Sequence, residues 1–513
     1  MKSIKKIVAA AFTTIFAVGA FAGCSQGDKT DNGDIPQLPD YTAVAKDFDF
    51  FAYSGPMNGE FTVDGVKKQL GTDQRTVEGY TTFKDAGFNV AMLTGTAGYV
   101  GSDWENSECK RAWDAAIGAG IDRIILTDNR LDGLVQLKDN LVGEGCRFET
   151  EDDLCAFVKE CISTYKDYEG FYGLRIFDEP DYSYMNAMGY IYKATKKAAK
   201  ELGIEDIYIH LNLLPLGNNS HEKYDPDATS LEEAYRNYVN GYLDATGANR
   251  VSSDVYLNRG TGLCNWFYQT VQILRECAEA HGADVTFCLQ SFEQYNGTNK
   301  IYSAVGKSEM LHEMYSLIGM GIDDFAYYTY QPPESYNTKL PSPEGTNFLT
   351  AAGEKTNVYY AGQDAMAIAQ SMSDVILNYE YQGAKFYLSS MPNFDVSCYT
   401  TSYMDTATNT SVSFKNDHEF TLLKNVSHDN DAVFTTELYD ETNALYMYML
   451  QNPIAPSNGE YGRTAENIQA TFDASYTYVA EFHNGYLEYV KLENGVYAKT
   501  LSAGDAVYLV PLK

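Results

Sequence analysis

The sequence is short of cationic residues and lacks the common signatures of cofactor and metal binding. Its 38 Lys and Arg residues are outnumbered by 70 Asp and Glu residues, giving a net charge of −32 at pH 7. This excess argues against nucleic acid and anionic lipid as partners, because both carry the same sign of charge. The phosphate-binding patterns GxGxxG and GxxxxGK(S/T) are absent, and none of the seven His residues has HxxxH or HExxH spacing. We therefore expect neither a cofactor nor a metal ion.

Long apolar runs are also scarce, and the marked one lies at the amino terminus. Lysines at positions 2, 5 and 6 precede residues 7–22, a nearly uncharged stretch that is too short for a comfortable membrane span and is typical of a signal peptide. The stretch ends in Phe21-Ala22-Gly23-Cys24, which resembles the bacterial lipobox, where cleavage precedes a cysteine that is then acylated. The sequence thus predicts a lipoprotein signal peptide over residues 1–24 and an exported protein, lipid-anchored through Cys24 at the bacterial cell membrane or surface. The alternative is an ordinary signal peptide with a chance cysteine.

Residues 25–46 differ abruptly from what precedes them. They are polar, rich in Gly and Asp, and poor in large apolar side chains. Such a segment buries too little surface to offset its ordering entropy, so it is expected to be a flexible tether.

Residues 47–390 alternate short β-rich runs with helical stretches, which is typical of a parallel sheet with helical crossovers. Eight strands are predicted, at 49–54, 88–94, 123–128, 171–177, 207–212, 250–256, 285–290 and 324–330. Four glycines are placed to end the preceding helices, because glycine adopts the left-handed conformation of a helix C-cap without penalty: Gly87, Gly120, Gly203 and Gly321. Eight strands separated by helices is the count of a (β/α)8 TIM barrel, so the predicted fold class is α/β.

The pattern changes towards the carboxyl terminus. A last helix is predicted at 363–381, and residues 391–513 contain short alternating runs separated by turn residues. The predicted strands lie at 432–436, 444–450, 476–482 and 486–490, with hairpin turns at 440–443 and 483–485. We expect a small antiparallel β-sandwich that packs against the barrel or binds sugar.

The working residues of such barrels lie at the carboxyl ends of the strands. The fourth predicted strand runs into Asp178-Glu179-Pro180. Two adjacent carboxylates after an apolar strand are costly unless they are solvated, paired or used, and alternation along the strand directs one of them to the barrel mouth. We predict that Glu179 works at the mouth and that its pKa is raised by repulsion from Asp178. The alternative is an exposed loop acid that caps the next helix.

The order of these motifs resembles that of a known group of enzymes. Glu179 lies where barrel glycoside hydrolases of the Asn-Glu-Pro type carry their acid/base on strand four, and residues 308–328 are similar to the approach to strand eight in family 42 β-galactosidase barrels and related exported bacterial lipoproteins. The resemblance covers about residues 47–385. It implies a clan-A-type (β/α)8 glycoside hydrolase with carbohydrate as its partner.

The sequence departs from that pattern at two positions. Asp178 replaces the Asn before the acid/base, and Gln290 occupies the strand-seven position of the nucleophilic Glu. Glu293 could replace the nucleophile, Asp254 or Asp128 could act as base towards water, or the site could bind sugar without cleaving it. Carboxyls about 5–5.5 Å apart indicate a covalent intermediate, and a separation of about 6.5–9.5 Å leaves room for water. Glu293 is the first candidate for the second carboxylate and Asp254 the second.

Further residues are expected to contact substrate: Asp128, Asp178, Asn212, Tyr256, Gln290, Tyr328 and Tyr330. The amides would hydrogen-bond sugar hydroxyls. The tyrosines would stack on a pyranose or orient the second carboxylate, although packing within the barrel explains each of them equally well. Arg175 has apolar neighbours and is expected to face outward between strand and helix, whereas His210 is expected to be a hydrogen-bonded core residue.

Three functions follow from these features. The leading hypothesis is a cell-surface glycoside hydrolase that cleaves O-glycosidic bonds of oligo- or polysaccharide, which Asp178-Glu179-Pro180 favours. The main alternative is a non-catalytic carbohydrate-binding lipoprotein with a degenerate glycosidase barrel, which Gln290 favours. A solute-binding component of a transporter fits the lipid anchor, but such proteins have two lobes and do not fit the eight-strand count.

Overall fold

A computed structural model of the chain describes residues 35–42, 46–100, 103–217, 221–260, 262–296, 298–332, 335–336, 347–390, 399, 403–405, 409–429, 431–453 and 465–513. The chain divides into two compact units, Met1–Pro36 and Gln37–Lys513, and the described helices and strands belong to the second. The predicted signal peptide at 1–24, with Cys24, lies outside the described residues. Searched over the described ranges, the chain contains no helix whose length and apolar character would allow it to cross a membrane.

Parallel strands form the centre of the second unit. Eight of them belong to one sheet in the described part of the chain: β1 (Asp49–Ala52), β2 (Ala91–Leu93), β3 (Ile124–Leu126), β4 (Phe171–Asp178), β5 (Tyr208–Leu213), β6 (Arg250–Asp254), β7 (Asp284–Gln290) and β8 (Asp324–Tyr328). Their order is β1-β8-β7-β6-β5-β4-β3-β2, so strands that follow one another in sequence are neighbours in space. The predicted (β/α)8 TIM barrel is confirmed.

A helix follows each strand. These helices are α1 (Val77–Asp85), α2 (Glu108–Gly118), α3 (Glu151–Ser163), α4 (Met185–Glu201), α5 (Leu231–Thr246), α6 (Phe267–His281), α7 (Lys307–Gly319) and α8 (Asn357–Gln370), after which comes the short α9 (Ser373–Ile376). Gly87, Gly120, Gly203 and Gly321 lie two residues beyond the ends of α1, α2, α4 and α7, each with positive φ. The prediction that these glycines end helices is confirmed, because the left-handed position after a helix favours a residue without a Cβ atom.

Shorter helices and strands lie in the connections between the barrel elements. Single-turn 3-10 helices lie at Gly95–Gly98, Trp104–Asn106, Tyr182–Tyr184 and His221–Lys223, and a longer one at Leu134–Asn140. A hairpin of Glu60–Val63 and Val66–Gln69 pairs with Ser335–Tyr336. After β6 and β7, the strands Asn258–Arg259, Gly262–Leu263, Gln294–Asn296 and Asn299–Tyr302 form a small antiparallel sheet, here called the rim sheet. The rim sheet joins the loops that follow β6 and β7.

The side chain of Asn89 closes the ring between β1 and β2. Its Nδ2 donates to the carbonyl of Phe48 at 2.8 Å, and its Oδ1 accepts from the backbone N–H of Phe50 at 2.8 Å. The backbone N–H groups of Asn89 and Val90 both donate to the Phe50 carbonyl, each at 3.1 Å. The Asn89 amide thus takes the place of some of the backbone hydrogen bonds that would otherwise pair β1 with β2.

Alternating residues fill the inside of the barrel. Phe51, Met92, Ile125, Tyr208 and Cys288 belong to one buried interior cluster. The opposite faces of the strands pack against the helices in a larger cluster. Because the interior is filled by side chains, chemistry with a substrate is confined to the mouth at the carboxyl ends of the strands.

One expectation about the barrel interior is wrong, because Arg175 faces inward. Its guanidinium lies over the Tyr53 ring, 5.3 Å from the ring centroid. The pairing of β4 with β3 passes from Phe171 directly to Gly173 and skips Tyr172. A bulge of this kind changes the alternation beyond it, so Tyr172 and Arg175 share the interior face although they are three residues apart. The local apolar pattern gives no sign of the bulge.

The carboxyl-terminal strands form the predicted β-sandwich. They are β9 (Glu380–Leu388), β10 (Tyr403–Asp405), β11 (Thr410–Val412), β12 (Asn425–His428), β13 (Ala432–Asp440), β14 (Leu445–Gln451), β15 (Glu466–Thr471), β16 (Tyr478–His483), β17 (Tyr486–Lys491), β18 (Val496–Leu501) and β19 (Ala506–Leu512). One sheet has the order β9-β13-β14-β19-β16-β17, another has the order β12-β15-β18, and β10 pairs with β11. A buried cluster between them includes Val433, Ile468 and Leu509.

The chain enters this domain earlier than the sequence analysis placed it. The predicted final helix at 363–381 ends at Gln370, and α9 follows. Strand β9 (Glu380–Leu388) then pairs antiparallel with β13, although it lies within the predicted barrel segment 47–390. Its alternating residues are obscured in the sequence by the helix-like run before them.

The end of the predicted tether is fastened to the folded unit. Leu38 N donates to the Tyr489 hydroxyl at 3.1 Å, and the Tyr41 hydroxyl donates to Asp440 Oδ2 at 2.7 Å. The side chains of Leu38 and Tyr41 also pack against the buried core. The predicted flexible segment, 25–46, therefore does not extend to its last residues, because two apolar side chains there gain burial.

Substitution of Asn89 tests the closure of the barrel. We expect Asn89→Ala to lower the free energy of unfolding by about 1–3 kcal/mol, because the buried Phe50 N–H in the β1–β2 seam loses this acceptor and the Phe48 carbonyl keeps only its hydrogen bond from Gln370. Asn106→Ala is the matched control: its amide donates to Asp103 on the surface, and we expect a change within about 0.5 kcal/mol. Urea unfolding curves measure both values. Equal curves for the two variants would contradict the role given to Asn89.

Candidate active site

Three carboxyl groups meet at the mouth of the barrel. Asp178 ends β4, Glu179 follows it, and Asp254 ends β6. The carboxyls of Glu179 and Asp254 are in hydrogen-bond contact, and the charges of Asp178 and Asp254 also act on each other. Strand β5 lies between β4 and β6 and supplies Asn212 to the same place. The structure thus brings together four of the residues that the sequence analysis proposed.

The backbone at Glu179 turns its side chain into this cluster. Glu179 has φ of 47°, a left-handed conformation that costs a non-glycine residue about 1–2 kcal/mol. The turn is held because Glu179 N donates to the Asn212 carbonyl at 2.8 Å. In addition, the Tyr238 hydroxyl from α5 donates to the Pro180 carbonyl and accepts from Leu214 N. Strain at a residue held from both sides is typical of functional positions.

Asp254 is the buried partner of the pair. It accepts a hydrogen bond from Asn212 Nδ2 at 2.9 Å, and the Tyr256 hydroxyl is close enough to act on its charge. The orientation of the Asn212 amide is fixed in turn, because its Oδ1 accepts from Ser252 Oγ at 3.0 Å. Asp254 is therefore held by a neutral donor whose own position is fixed.

Asp178 is paired with a cation from inside the barrel. Arg175 Nη2 lies 3.0 Å from Asp178 Oδ2. Behind Arg175, the Tyr53 hydroxyl is hydrogen-bonded to His210 Nε2 at 2.7 Å. Burial, followed by the charge of Arg175, lowers the pKa of His210 to about 3, so this histidine is neutral at physiological pH. His210 is a hydrogen-bonded core residue, as predicted.

The environment raises the pKa of the Glu179 carboxyl. One side of its side chain is open to solvent, yet the largest cause is the loss of water around the carboxyl. Repulsion from Asp254 and then from Asp178 comes next, and the Lys223 ammonium acts in the opposite direction. Burial, followed by the charge of Asp178, raises the pKa of Asp254 as well. The pair therefore retains a proton at a pH where an ordinary carboxyl has lost it.

A depression of about 490 Å³ opens in front of Glu179. It is lined by Phe177, Asp178, Glu179, Asp181, Tyr184, Leu214 and Lys223. The size is in the range of small-molecule sites, and its lining is mostly polar. Within the described ranges, no group of three or more His, Cys, Asp or Glu side chains is arranged to hold a metal ion.

An aromatic wall stands beside the carboxyl pair. It consists of Tyr256, Phe292, Tyr302 and Tyr328. The Phe292 ring lies 4.8 Å from Tyr256, 5.1 Å from Tyr302 and 5.3 Å from Tyr328, measured between ring centroids. The charges of Asp254 and Glu179 both act on the Tyr302 and Tyr328 hydroxyls. The wall thus lies next to the acidic cluster, with Tyr256 and Tyr328 partly exposed and Phe292 and Tyr302 buried behind them.

Gln290 does not project into the mouth. It is fully buried, and its amide contacts the backbone of the loops after β6 and β7. We therefore no longer assign Gln290 to substrate contact, because its hydrogen-bonding groups are occupied by the protein.

Three other predicted residues lie away from the carboxyl pair. Glu293 accepts from Tyr295 at 3.0 Å and pairs with Lys300 at 2.6 Å on the rim sheet. Asp128 is buried behind β3 in an ion pair with Arg130, where the Tyr165 hydroxyl also donates to it. Tyr330 is fully buried and packs against Phe83, Phe88 and Phe348 between the barrel and its helices.

Sequence reasoning missed several groups at the mouth. Lys223 lies on a 3-10 helix in the long loop after β5, and no sequence pattern distinguishes it from other surface lysines. Tyr302 arrives from the rim sheet, whose hairpin has weak turn signals. Arg175 did carry a signal, since a lone charged residue within an apolar strand requires a partner.

Comparison with known proteins gives distant similarity in structure only. No family model and no curated protein matches the chain. Among solved structures, an α-amylase from Anoxybacillus is 9% identical with a TM-score of 0.46, the match covering 91% of this chain and 98% of that one. The GH51 arabinofuranosidase from Xanthomonas axonopodis pv. citri is 7% identical with a TM-score of 0.43, covering 91% and 96%. A GH30 endoxylanase from Clostridium papyrosolvens C71 is 10% identical with a TM-score of 0.40, covering 91% and 97%. Similarities this distant carry no argument about the activity of this chain.

The raised pKa of Glu179 predicts a pH-dependent stability. A carboxyl whose native pKa lies above its unfolded value stabilises the native state fully below the unfolded pKa, about 4.3 for Glu. That contribution is lost as the pH rises through the native pKa. We therefore expect the melting temperature of Glu179→Gln, measured relative to the native protein, to rise between pH 5 and pH 8.5.

The matched control is Glu151→Gln, an exposed residue in the first turn of α3. Its melting temperature should follow that of the native protein at a constant offset. If Glu179→Gln also showed a constant offset across this pH range, the carboxyl contact with Asp254 would not exist in solution.

Proposed function

We propose that the protein is a glycoside hydrolase in which Glu179 is the general acid/base. The observation that carries the proposal is the contact between the carboxyls of Glu179 and Asp254 at the open end of the barrel. A general acid must be protonated at the working pH, and enzymes raise carboxyl pKa values towards neutrality by burial and by neighbouring charge. Both causes act on Glu179.

We propose Asp254, in place of Glu293, as the second carboxylate. Asp254 faces Glu179, whereas Glu293 is paired with Lys300 on the rim sheet. Retaining enzymes hold their two carboxyls roughly 5–5.5 Å apart and inverting ones roughly 6.5–9.5 Å apart. Glu179 is the partner that adjusts to a substrate, because Asp254 is buried and held by Asn212.

In this mechanism Glu179 donates its proton to the leaving glycosidic oxygen as the bond to the anomeric carbon breaks. Asp254, left as a carboxylate, either attacks that carbon or removes a proton from the attacking water. Tyr328 and its neighbours in the aromatic wall supply a surface for the apolar face of a pyranose, and Asp178 and Lys223 offer groups that hydrogen-bond sugar hydroxyls. The resemblance of residues 47–385 to family 42 β-galactosidase barrels supports the same reaction class.

A second candidate function is carbohydrate binding without cleavage. The observation that favours it is that β7 ends in the buried Gln290 and not in a carboxylate. A binding protein would use the depression and the aromatic wall in the same way, but it would not need a protonated Glu179.

A hydrolysis screen distinguishes the two functions. We expect the protein from Ser25 onward to release sugar from some members of a panel of aryl glycosides and plant or host oligosaccharides. Glu179→Gln should lower kcat/KM by about 10²–10⁴-fold, because the proton donor is removed. Glu222→Gln, an exposed change on the neighbouring 3-10 helix, should retain native activity. The product anomer, followed by NMR, separates attack by Asp254 from attack by water.

Two results would argue against the assignment. Full activity in Glu179→Gln would exclude this residue as the acid. No hydrolysis of any member of the panel, together with sugar binding measurable by calorimetry, would establish the binding protein instead.

We also propose that the protein acts at the cell surface. The support is the amino-terminal sequence, in which a charged start and an apolar run lead into Cys24. The full-length native protein expressed in a bacterium should partition with membranes and incorporate radiolabelled palmitate. Cys24→Ser should do neither, because the acylated thiol is missing, whereas Cys146→Ser serves as the control. Equal labelling of the two variants would exclude lipidation at Cys24.

A further inference from the structure

Gln290 stands at the strand end where a retaining barrel enzyme of the resembled type would carry its nucleophile, yet it is fully buried. We propose that Gln290 and Glu313 are positioning residues, which hold the loops after β6 and β7 together and thereby fix the aromatic wall against the Glu179–Asp254 pair. The kinetic part of this proposal rests on the proposed glycosidase function. Its structural part does not.

The side chain of Gln290 uses both ends of its amide. Its Oε1 accepts from Asn258 N at 3.0 Å. Its Nε2 lies 2.8 Å from the Ser303 carbonyl, 3.0 Å from the Phe292 carbonyl and 3.3 Å from the Asn258 carbonyl. One neutral amide thus joins both strands of the rim sheet that adjoin the barrel.

Glu313 holds the backbone of the same region from helix α7. It is also almost fully buried. Its Oε2 accepts from Gln290 N at 3.1 Å, and the backbone of Leu257 also acts on the carboxyl. Burial raises the pKa of Glu313 to about 8, so the group is uncharged at neutral pH. A buried neutral acceptor is well matched to a backbone donor.

The residues that make these contacts are neighbours in sequence of the aromatic-wall residues. Leu257 and Asn258 directly follow Tyr256, Ser303 directly follows Tyr302, and Phe292 is itself a contact of Gln290. Three of the four wall residues therefore either make a hydrogen bond to Gln290 themselves or lie within two residues of one that bonds to Gln290 or Glu313. Since the Tyr256 hydroxyl and the Asp254 carboxyl act on each other electrostatically, a shift of the wall would reach the carboxyl pair.

The contacts explain why position 290 is an amide. Three carbonyl oxygens surround Nε2, and carbonyls accept hydrogen bonds without donating any. A carboxylate at this position would face those oxygens with no donor, next to the buried Glu313. Gln290 is thus required by its surroundings, which need a hydrogen-bond donor at this position.

The variant Gln290→Glu tests whether Gln290 is a positioning residue or stands in place of a lost nucleophile. Hydrogen exchange followed by mass spectrometry is measured on the protein from Ser25 onward, without substrate. We expect faster exchange in residues 257–263 and 291–303 and unchanged exchange in β4 and β5. On any substrate found in the screen, kcat/KM should fall by about 100-fold, the scale of a small misplacement of the reacting groups. The alkaline limb of its pH profile for kcat/KM should also shift, because displacement of Tyr256 changes the surroundings of Asp254 and, through its charge, the pKa of Glu179.

Gln451→Glu is the matched control. Gln451 is also fully buried, accepts from Ser316 Oγ at 2.8 Å and donates to the His312 carbonyl at 2.9 Å. It lies on β14 of the β-sandwich. Because Gln451 is as buried as Gln290, both substitutions carry the same general cost of burying a carboxyl. We expect a lower melting temperature in this variant, with native exchange in 257–263 and 291–303 and a native alkaline limb.

A second pair of variants keeps the test decisive if Gln290→Glu does not fold. Glu313→Leu removes the acceptor for Gln290 N and should speed exchange in both loops. Glu313→Gln retains a carbonyl oxygen and should recover most of the protection. Unchanged exchange in Glu313→Leu would overturn the proposal, as would higher hydrolytic activity in Gln290→Glu. If no substrate is found, the proposed function fails, and the exchange data still decide the positioning role.

Discussion

The carboxyls of Glu179 and Asp254 can remain in contact only if one of them carries a proton. Two ionised carboxylates this close repel each other strongly, and the burial of Asp254 adds to the cost. The fold nevertheless holds them together, because Asp254 is fixed by Asn212 and because the backbone of Glu179 is held in a left-handed turn. The chemistry available at the mouth therefore starts from a bound proton at neutral pH.

The surrounding charges determine where that proton resides. Arg175 pairs with Asp178 from inside the barrel, so the third carboxyl of the cluster has its own counter-ion. Asp254 receives only neutral donors, and the nearest cation to act on Glu179 is Lys223 on the open side. Because Glu179 is also the partner that reaches solvent, it is the group from which a substrate can take the proton. The same arrangement makes Asp254 the carboxylate left behind.

The sequence predicted those features that depend on local periodicity. Strand alternation and helix-ending glycines such as Gly87 and Gly203 specify the barrel, because they act within a few neighbouring residues. The inward direction of Arg175 could not be predicted, since it depends on a bulge that forms only when β4 pairs with β3. The partner of Glu179 was equally hidden: three candidate carboxylates, Glu293, Asp254 and Asp128, were compatible with the sequence, and the choice depends on which of them the fold brings to the mouth.

Gln290 shows why a residue type at one position is weak evidence about function. Compared with retaining barrel enzymes, an amide there indicates a lost nucleophile and hence a binding protein. In this chain the amide is buried among backbone carbonyls and could not be replaced by a carboxylate without breaking the loops that carry Tyr256 and Tyr302. The residue at position 290 therefore has to donate hydrogen bonds to the surrounding carbonyls. A judgement about catalysis must rest on the carboxyls that face the mouth, and those are Glu179 and Asp254.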